Sequence, residues 1–217
     1  MGHGTSNLKP AILARIGNGA SRGVWTPRDF LDLGARDAVD KTLQRLTRAG
    51  SLRRVDRGLY DKPSFNTLTR KSNPSDPRQV IEAIARRDQT RVLVDGMTAA
   101  NDLGLTNAVP AKIVVHTDAR LKPVSLGQLG ITFKPTAASK LYWAGRPAMR
   151  IVQALHWLRD TMGQVDDDAI LMRRLNAILR DPEDGQALRA DLLEGLSTLP
   201  DWMRNLLLPM LKERAGT

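Results

Sequence analysis

Between Thr26 and Asp61 the sequence is punctuated so closely that few arrangements of chain fit it. Thr26-Pro27-Arg28-Asp29 is a helix start, with Thr26 at the N-cap, Pro27 in the first helical position and Asp29 in the first turn, where a carboxylate suits the helix dipole. Phe30–Leu33 runs straight into Gly34, so that helix is brief. After the turn Gly34-Ala35-Arg36, the spacing of Val39, Thr42/Leu43, Leu46 and Ala49 predicts a longer helix over Asp37–Ala49, ended by Gly50. Leu52–Val55, the corner Asp56-Arg57-Gly58 and Leu59–Asp61 predict a two-stranded hairpin. Ahead of all this, apolar residues at 8, 12, 13 and 16 mark an amphipathic helix Leu8–Ile16 closed by Gly17, and Gly23–Trp25 reads as short and extended. Helix, short helix, glycine turn, longer helix and basic hairpin is the order of a winged helix-turn-helix.

Charge follows the same division. The 217 residues carry 33 Lys+Arg against 23 Asp+Glu, a net +10, and residues 1–71 alone hold 14 basic and 6 acidic side chains. Such an excess fits a polyanionic partner. With Val39, Leu43 and Leu46 inward, the opposite face of the longer helix displays Asp37, Asp40, Lys41, Gln44, Arg45 and Arg48, with Arg36 at its N-terminal end. Arg and Lys reach guanine O6/N7 and Gln pairs with adenine, while Arg53, Arg54 and Arg57 of the hairpin are placed to hold phosphates or enter the minor groove. The expected DNA-binding set is therefore Arg28, Arg36, Lys41, Gln44, Arg45, Arg48, Arg53, Arg54 and Arg57. Aromatics are only 4%, and Trp25, Trp143, Trp157 and Trp202 read as core anchors, so double-stranded DNA is favoured over a single strand held by stacking.

Arg70–Pro77 is polar with two prolines and reads as a linker, giving a DNA-binding domain over 1–70, a linker over 71–77 and a second domain over 78–217. Asp76 at an N-cap and Gln79 at N3 open a helix through Arg87, with Val80, Ile81 and Ile84 inward. Strands are expected at Val92–Val94, Lys112–His116, Val124–Leu126 and Ile131–Lys134, with a short helix Thr98–Leu103 between the first two. From Pro147 onward helices are expected at Met149–Met162, Ala169–Leu179, Gln186–Leu196 and Pro200–Glu213, the last kinked by Pro209. The expected class is α+β: a winged helix-turn-helix, then a mixed α/β domain with a helical C-terminal part.

Candidate chemistry is sparse. The chain has no cysteine and three histidines, which argues against a metal centre and suits a reducing cytoplasm. His116-Thr117-Asp118 reads as a strand end with a polar cap, Asp166-Asp167-Asp168 as helix-capping acids, and Gly127 and Gly130 as turn glycines. Neither a Walker loop, a G-x-S-x-G elbow nor an H-E-x-x-H motif occurs. No catalytic residue, cofactor or metal is expected. The N-terminus has no apolar signal-like core and no stretch reaches the roughly 20 apolar residues of a membrane helix, so a cytoplasmic protein without membrane contact is expected.

Arg22–Tyr60 (R-G-V-W-T-P-R-D-F-L-D-L-G through R-R-V-D-R-G-L-Y) resembles the winged-helix domain of AbiEi-type antitoxins, which belong to bacterial type IV toxin–antitoxin and abortive-infection systems. Asp95–Asp118 (D-G-M-T-A-A-N-D-L-G-L-T-N-A-V-P-A-K-I-V-V-H-T-D) resembles the segment that follows in that family, and with Ala144–Arg146 and Asp201–Arg204 the likeness spans most of residues 20–205. The resemblance implies an antitoxin that represses its own operon by binding inverted repeats, its C-terminal domain counteracting a nucleotidyltransferase-like toxin with or without a stable complex. A single winged helix reads one half-site, and no heptad seam is present, so a monomer in solution that assembles cooperatively on DNA is expected. Two other readings are a regulator whose α/β domain senses a small molecule and a nuclease or transferase with a DNA-docking domain.

Overall fold

Apolar residues spread over the first sixty positions converge on one cluster, because each predicted element brings one side of itself to it. In the computed structural model, which describes residues 8–19, 23–68, 70–108, 110–159 and 165–212, helix α1 (Leu8–Asn18) contributes Leu8, Ile12 and Ile16. Strand β1 (Val24–Trp25) leads into a 3-10 turn, Pro27–Phe30, whose Phe30 is fully buried. Asp29 fixes that turn by accepting a hydrogen bond from the Thr26 backbone N–H at 2.7 Å and another from its hydroxyl at 3.1 Å. Arg15 of α1 clamps the far side, donating twice to Asp32 at 2.6 Å and holding its carboxyl below the usual carboxylate range.

Helix α2 (Arg36–Arg48) buries Val39, Thr42, Leu43 and Leu46. Ala49, expected as the end of that stripe, is instead the exposed C-cap, because the helix ends at Arg48. Leu52 re-enters the cluster, its N–H bonded to the Leu46 carbonyl. Strands β2 (Arg53–Asp56) and β3 (Leu59–Asp61) form the expected hairpin, turning at Gly58 with φ +70, a left-handed conformation that suits glycine. All three strands join in one antiparallel sheet in the order β1-β3-β2, with Arg53 opposite Asp61 and Trp25 opposite Tyr60.

The stretch read as a linker is built into the fold. Strands β4 (Phe65–Asn66) and β5 (Lys71–Ser72) pair antiparallel, Phe65 opposite Ser72. Ser75 is buried, its hydroxyl donating to Asp61 at 2.7 Å. Helix α3 (Pro77–Asp88) then starts at the expected cap, Asp76 accepting from the Arg78 N–H at 2.9 Å, while Gln79 turns along the helix to Glu82 instead of closing a capping box. The chain forms two compact units, and α3 lies in the first: Met1–Thr90 with Leu121–Ile131, and Arg91–Arg120 with Thr132–Thr217.

In the second unit, strand β6 (Val92–Val94) leads through helix α4 (Gly96–Asp102) to β7 (Lys112–Thr117), which pairs with it antiparallel, Leu93 opposite His116. Asp95 caps α4 and ties it to the sheet, accepting from Thr98 N–H at 3.0 Å and Val114 N–H at 2.9 Å. Strand β8 (Val124–Leu126) and the start of β9 (Leu129–Pro135) make the hairpin that the first unit includes, and the rest of β9 returns to the second. Four helices follow: α5 (Met149–Leu158), α6 (Val165–Leu179), α7 (Gly185–Glu194) and α8 (Asp201–Lys212), with Pro209 inside the last. Helix α6 begins earlier than expected, so Asp166–Asp168 lie within its first turn; the side-chain capping read for them lies outside the described residues. The whole is α+β, with eight α-helices and three sheets among the described residues.

Helices α4 and α5 touch closely because position 96 is glycine. A β-carbon there would stand 2.5 Å from the Gln153 carbonyl oxygen and 2.5 Å from Trp157 Cβ. Gly96→Ala is expected to lower stability by about 1–3 kcal/mol through this overpacking. Leu43→Ala, at a side chain with no exposed surface, is expected to cost about 2–5 kcal/mol. Urea unfolding of each variant against the parent checks both.

Candidate nucleic-acid interface

The face of α2 opposite Val39, Leu43 and Leu46 is polar along its whole length. Arg36, Asp37, Lys41, Gln44, Arg45 and Arg48 are all exposed, at spacings of three and four that keep most of them on one side. Arg36 is drawn back along the helix by an ion pair with Asp40 at 2.9 Å. Arg45 and Arg48 stand in the last turn, where cations complement the carbonyl end of the dipole. Arg28 is exposed on the 3-10 turn ahead of α2.

On the hairpin the three arginines separate. Successive strand residues point to opposite faces, and Arg53 and Arg54 do so: Arg54 is exposed, its Nε only 3.4 Å from the Asp56 carbonyl. Arg57 is exposed at the corner, and its carbonyl accepts from Arg87 of α3 at 2.6 Å, which braces the turn from below.

Arg53 does not belong to the surface set. A guanidinium has five N–H donors, and all five of Arg53 are engaged: Nε and Nη2 on the two oxygens of Asp61 at 3.0 and 2.6 Å, Nη1 on Ser72 Oγ and the Asn73 carbonyl at 3.1 and 2.7 Å, and Nη2 again on Ser75 Oγ at 3.1 Å. Nothing remains to offer a phosphate. The sequence carried a signal for this, since Asp61 stands directly across the hairpin from Arg53.

Other basic residues are likewise spent internally. Arg86 donates to the Val24 carbonyl at 2.9 Å and lies 3.6 Å from Asp29. Arg91 pairs with Asp118 at 2.9 Å, and His116 meets Thr136 Oγ1 at 3.0 Å. Among the described residues no three acidic or histidine side chains gather as a metal site, and no helix is long and apolar enough to cross a membrane. One feature escaped the sequence reading: a cleft of about 300 Å³ beside β2, lined by Arg53, Arg54, Ser75, Ser125 and Gly127 among others. Its walls come from segments 53–55, 72–75 and 125–127, which only folding brings together.

Because Asp61 is 4% exposed, Arg53→Ala leaves a buried carboxylate without its counterion and is expected to cost about 3 kcal/mol. Arg54→Ala, on the opposite face, is expected to stay within about 0.5 kcal/mol of the parent. Thermal melts of the two single variants read the contrast directly.

Residues 12–186 match the family of unknown function DUF6088. No curated protein matches the chain. A crystal structure of the RV2827C protein from Mycobacterium tuberculosis is similar to it with a TM-score of 0.43 and 20% sequence identity, covering 96% of this chain and 78% of that one.

Proposed function

The chain belongs to the DUF6088 family, and we propose that it is a DNA-binding transcription regulator whose residues 8–61 act as a winged helix-turn-helix. The observation that carries this reading is the division of α2 into a buried apolar face and an exposed face of Arg36, Lys41, Gln44, Arg45 and Arg48, followed at once by a hairpin that exposes Arg54 and Arg57. An α-helix fits the major groove, where Arg, Lys and Gln reach base edges. Cations on an adjoining hairpin hold phosphates and fix the register. Asp40 and Arg36 pre-orient one another, so Arg36 is presented at a set angle.

The physiological setting follows from the resemblance to AbiEi-type antitoxins: repression of its own operon at inverted repeats, with the second unit opposing a nucleotidyltransferase-like toxin. A cytoplasmic location, no enzymatic activity, and a monomer that pairs on DNA go with that proposal.

The test is duplex binding by the full chain at several salt concentrations. Six neutralised phosphates give log K against log[salt] a slope of about −5. Arg45→Ala and Arg54→Ala should each weaken binding to every sequence and flatten that slope by about 1 unit. Gln44→Ala should instead change sequence preference, costing about 1–3 kcal/mol at the preferred site. A salt-independent affinity, or none, overturns the reading.

A further inference from the structure

The β4–β5 ribbon carries the two most exposed large apolar side chains of the described residues: Phe65 is 71% exposed and Leu68 92%. Lys62, Arg70 and Lys71 around them are also exposed, and no acidic residue occurs between Lys62 and Ser75. The ribbon is a shaped arm. Near its tip Asn66 Oδ1 accepts from the Leu68 N–H at 2.9 Å, and Arg70 has a left-handed φ of +53. At its base the Asn73 N–H donates to the Ser64 carbonyl at 2.8 Å, and Arg53 grips both Ser72 and Asn73. Covering such side chains with a partner removes apolar surface from water, at about 25 cal/mol per Å².

The chemistry selects the partner. A second copy of the chain is disfavoured: two side chains fall far short of the roughly 1,200 Å² that a stable protein interface buries, and opposing copies would bring like charges together. Reading the major groove needs polar groups that match base edges, whereas the most exposed large apolar side chains here are Phe65 and Leu68. Minor-groove wedges need one or two apolar side chains inserted at a base step, with cations to hold the flanking phosphates. We infer that the β4–β5 arm inserts Phe65 and Leu68 into the minor groove of duplex DNA and unstacks a base step there. This rests on the DNA-binding reading above and adds a second contact to it.

The experiment uses the full chain and a short A·T-rich duplex carrying 2-aminopurine at successive positions, whose fluorescence rises on unstacking. The parent protein should raise the signal at one step, and netropsin bound beforehand in the minor groove should remove the rise. The Phe65→Ser/Leu68→Ser variant changes only exposed side chains, so its circular dichroism and melting temperature should match the parent. It should still bind, about tenfold more weakly, without the rise. Parent binding without any rise, or a rise that persists in the variant, overturns the wedge while leaving the α2 reading standing. Absence of duplex binding by the parent overturns both. A parent dimer in sedimentation that the variant dissolves makes a second copy the occupant. Arm-dependent binding to phosphatidylglycerol vesicles makes it a lipid surface. Either result overturns the proposal.

Discussion

The Asp61 carboxylate sits at the end of β3 with almost no exposed surface, and the first unit is arranged so that this charge is never left alone. Arg53 answers it with a two-point ion pair across the hairpin, and Ser75 adds a hydroxyl. A buried pair of this kind adds little net stability over an apolar alternative, yet breaking it is expensive. Its effect is therefore on arrangement more than on strength. Because the same guanidinium also holds Ser72 and the Asn73 carbonyl, one interaction sets the register of β2 against β3 and fixes where the chain goes next. Arm and hairpin depend on the same charge.

What was legible in the sequence was what neighbours in sequence decide. The stripe Val39-Leu43-Leu46, the Asp76 cap, the Gly58 corner and the strand Val92–Val94 rest on local periodicity and capping, and all are in the structure. Arg53 was misread because charge type says nothing about the face a strand turns outward; the alternation and the opposing Asp61 decide that. Arg70–Pro77 was read as a linker from its prolines and polarity, which describe the backbone's preferences but not the partners waiting at Arg53 and Asp61. Extending the Val39–Leu46 period one more step places Ala49 in the core, but the helix ends at Arg48 and leaves Ala49 as its exposed cap. The cleft beside β2 was invisible for the same kind of reason, since residues 53–55 and 125–127 are brought together only by the tertiary fold.

The distribution of charge gains meaning once internal pairing is set aside. Arg15, Arg53, Arg86 and Arg87 all belong to the first unit, and each is turned onto a carboxylate or a carbonyl of that unit. Much of the positive charge that the first unit shows to water is then on α2, on the hairpin corner and on the β4–β5 arm. A field built in this way acts over roughly a Debye length, about 8 Å at physiological salt. It is strongest where several of these side chains stand close together without acids among them, as around Lys62, Arg70 and Lys71.

The first unit is not one continuous piece of chain: Leu121–Ile131 belongs to it, while the thirty residues from Arg91 to Arg120 do not. A nascent polypeptide emerging from the ribosome therefore presents α1, α2, the hairpin and α3 well before the strand pair that borders the cleft has been made. Domains that fold as they are synthesised usually do so in order from the N-terminus. In this chain the core of the first unit comes from residues 8–60, whereas the cleft lacks one wall until β6, α4 and β7 have been translated. The order of synthesis and the order of completion are interleaved, and the β8–β9 hairpin is the step at which the earlier unit is finished by the later stretch of message.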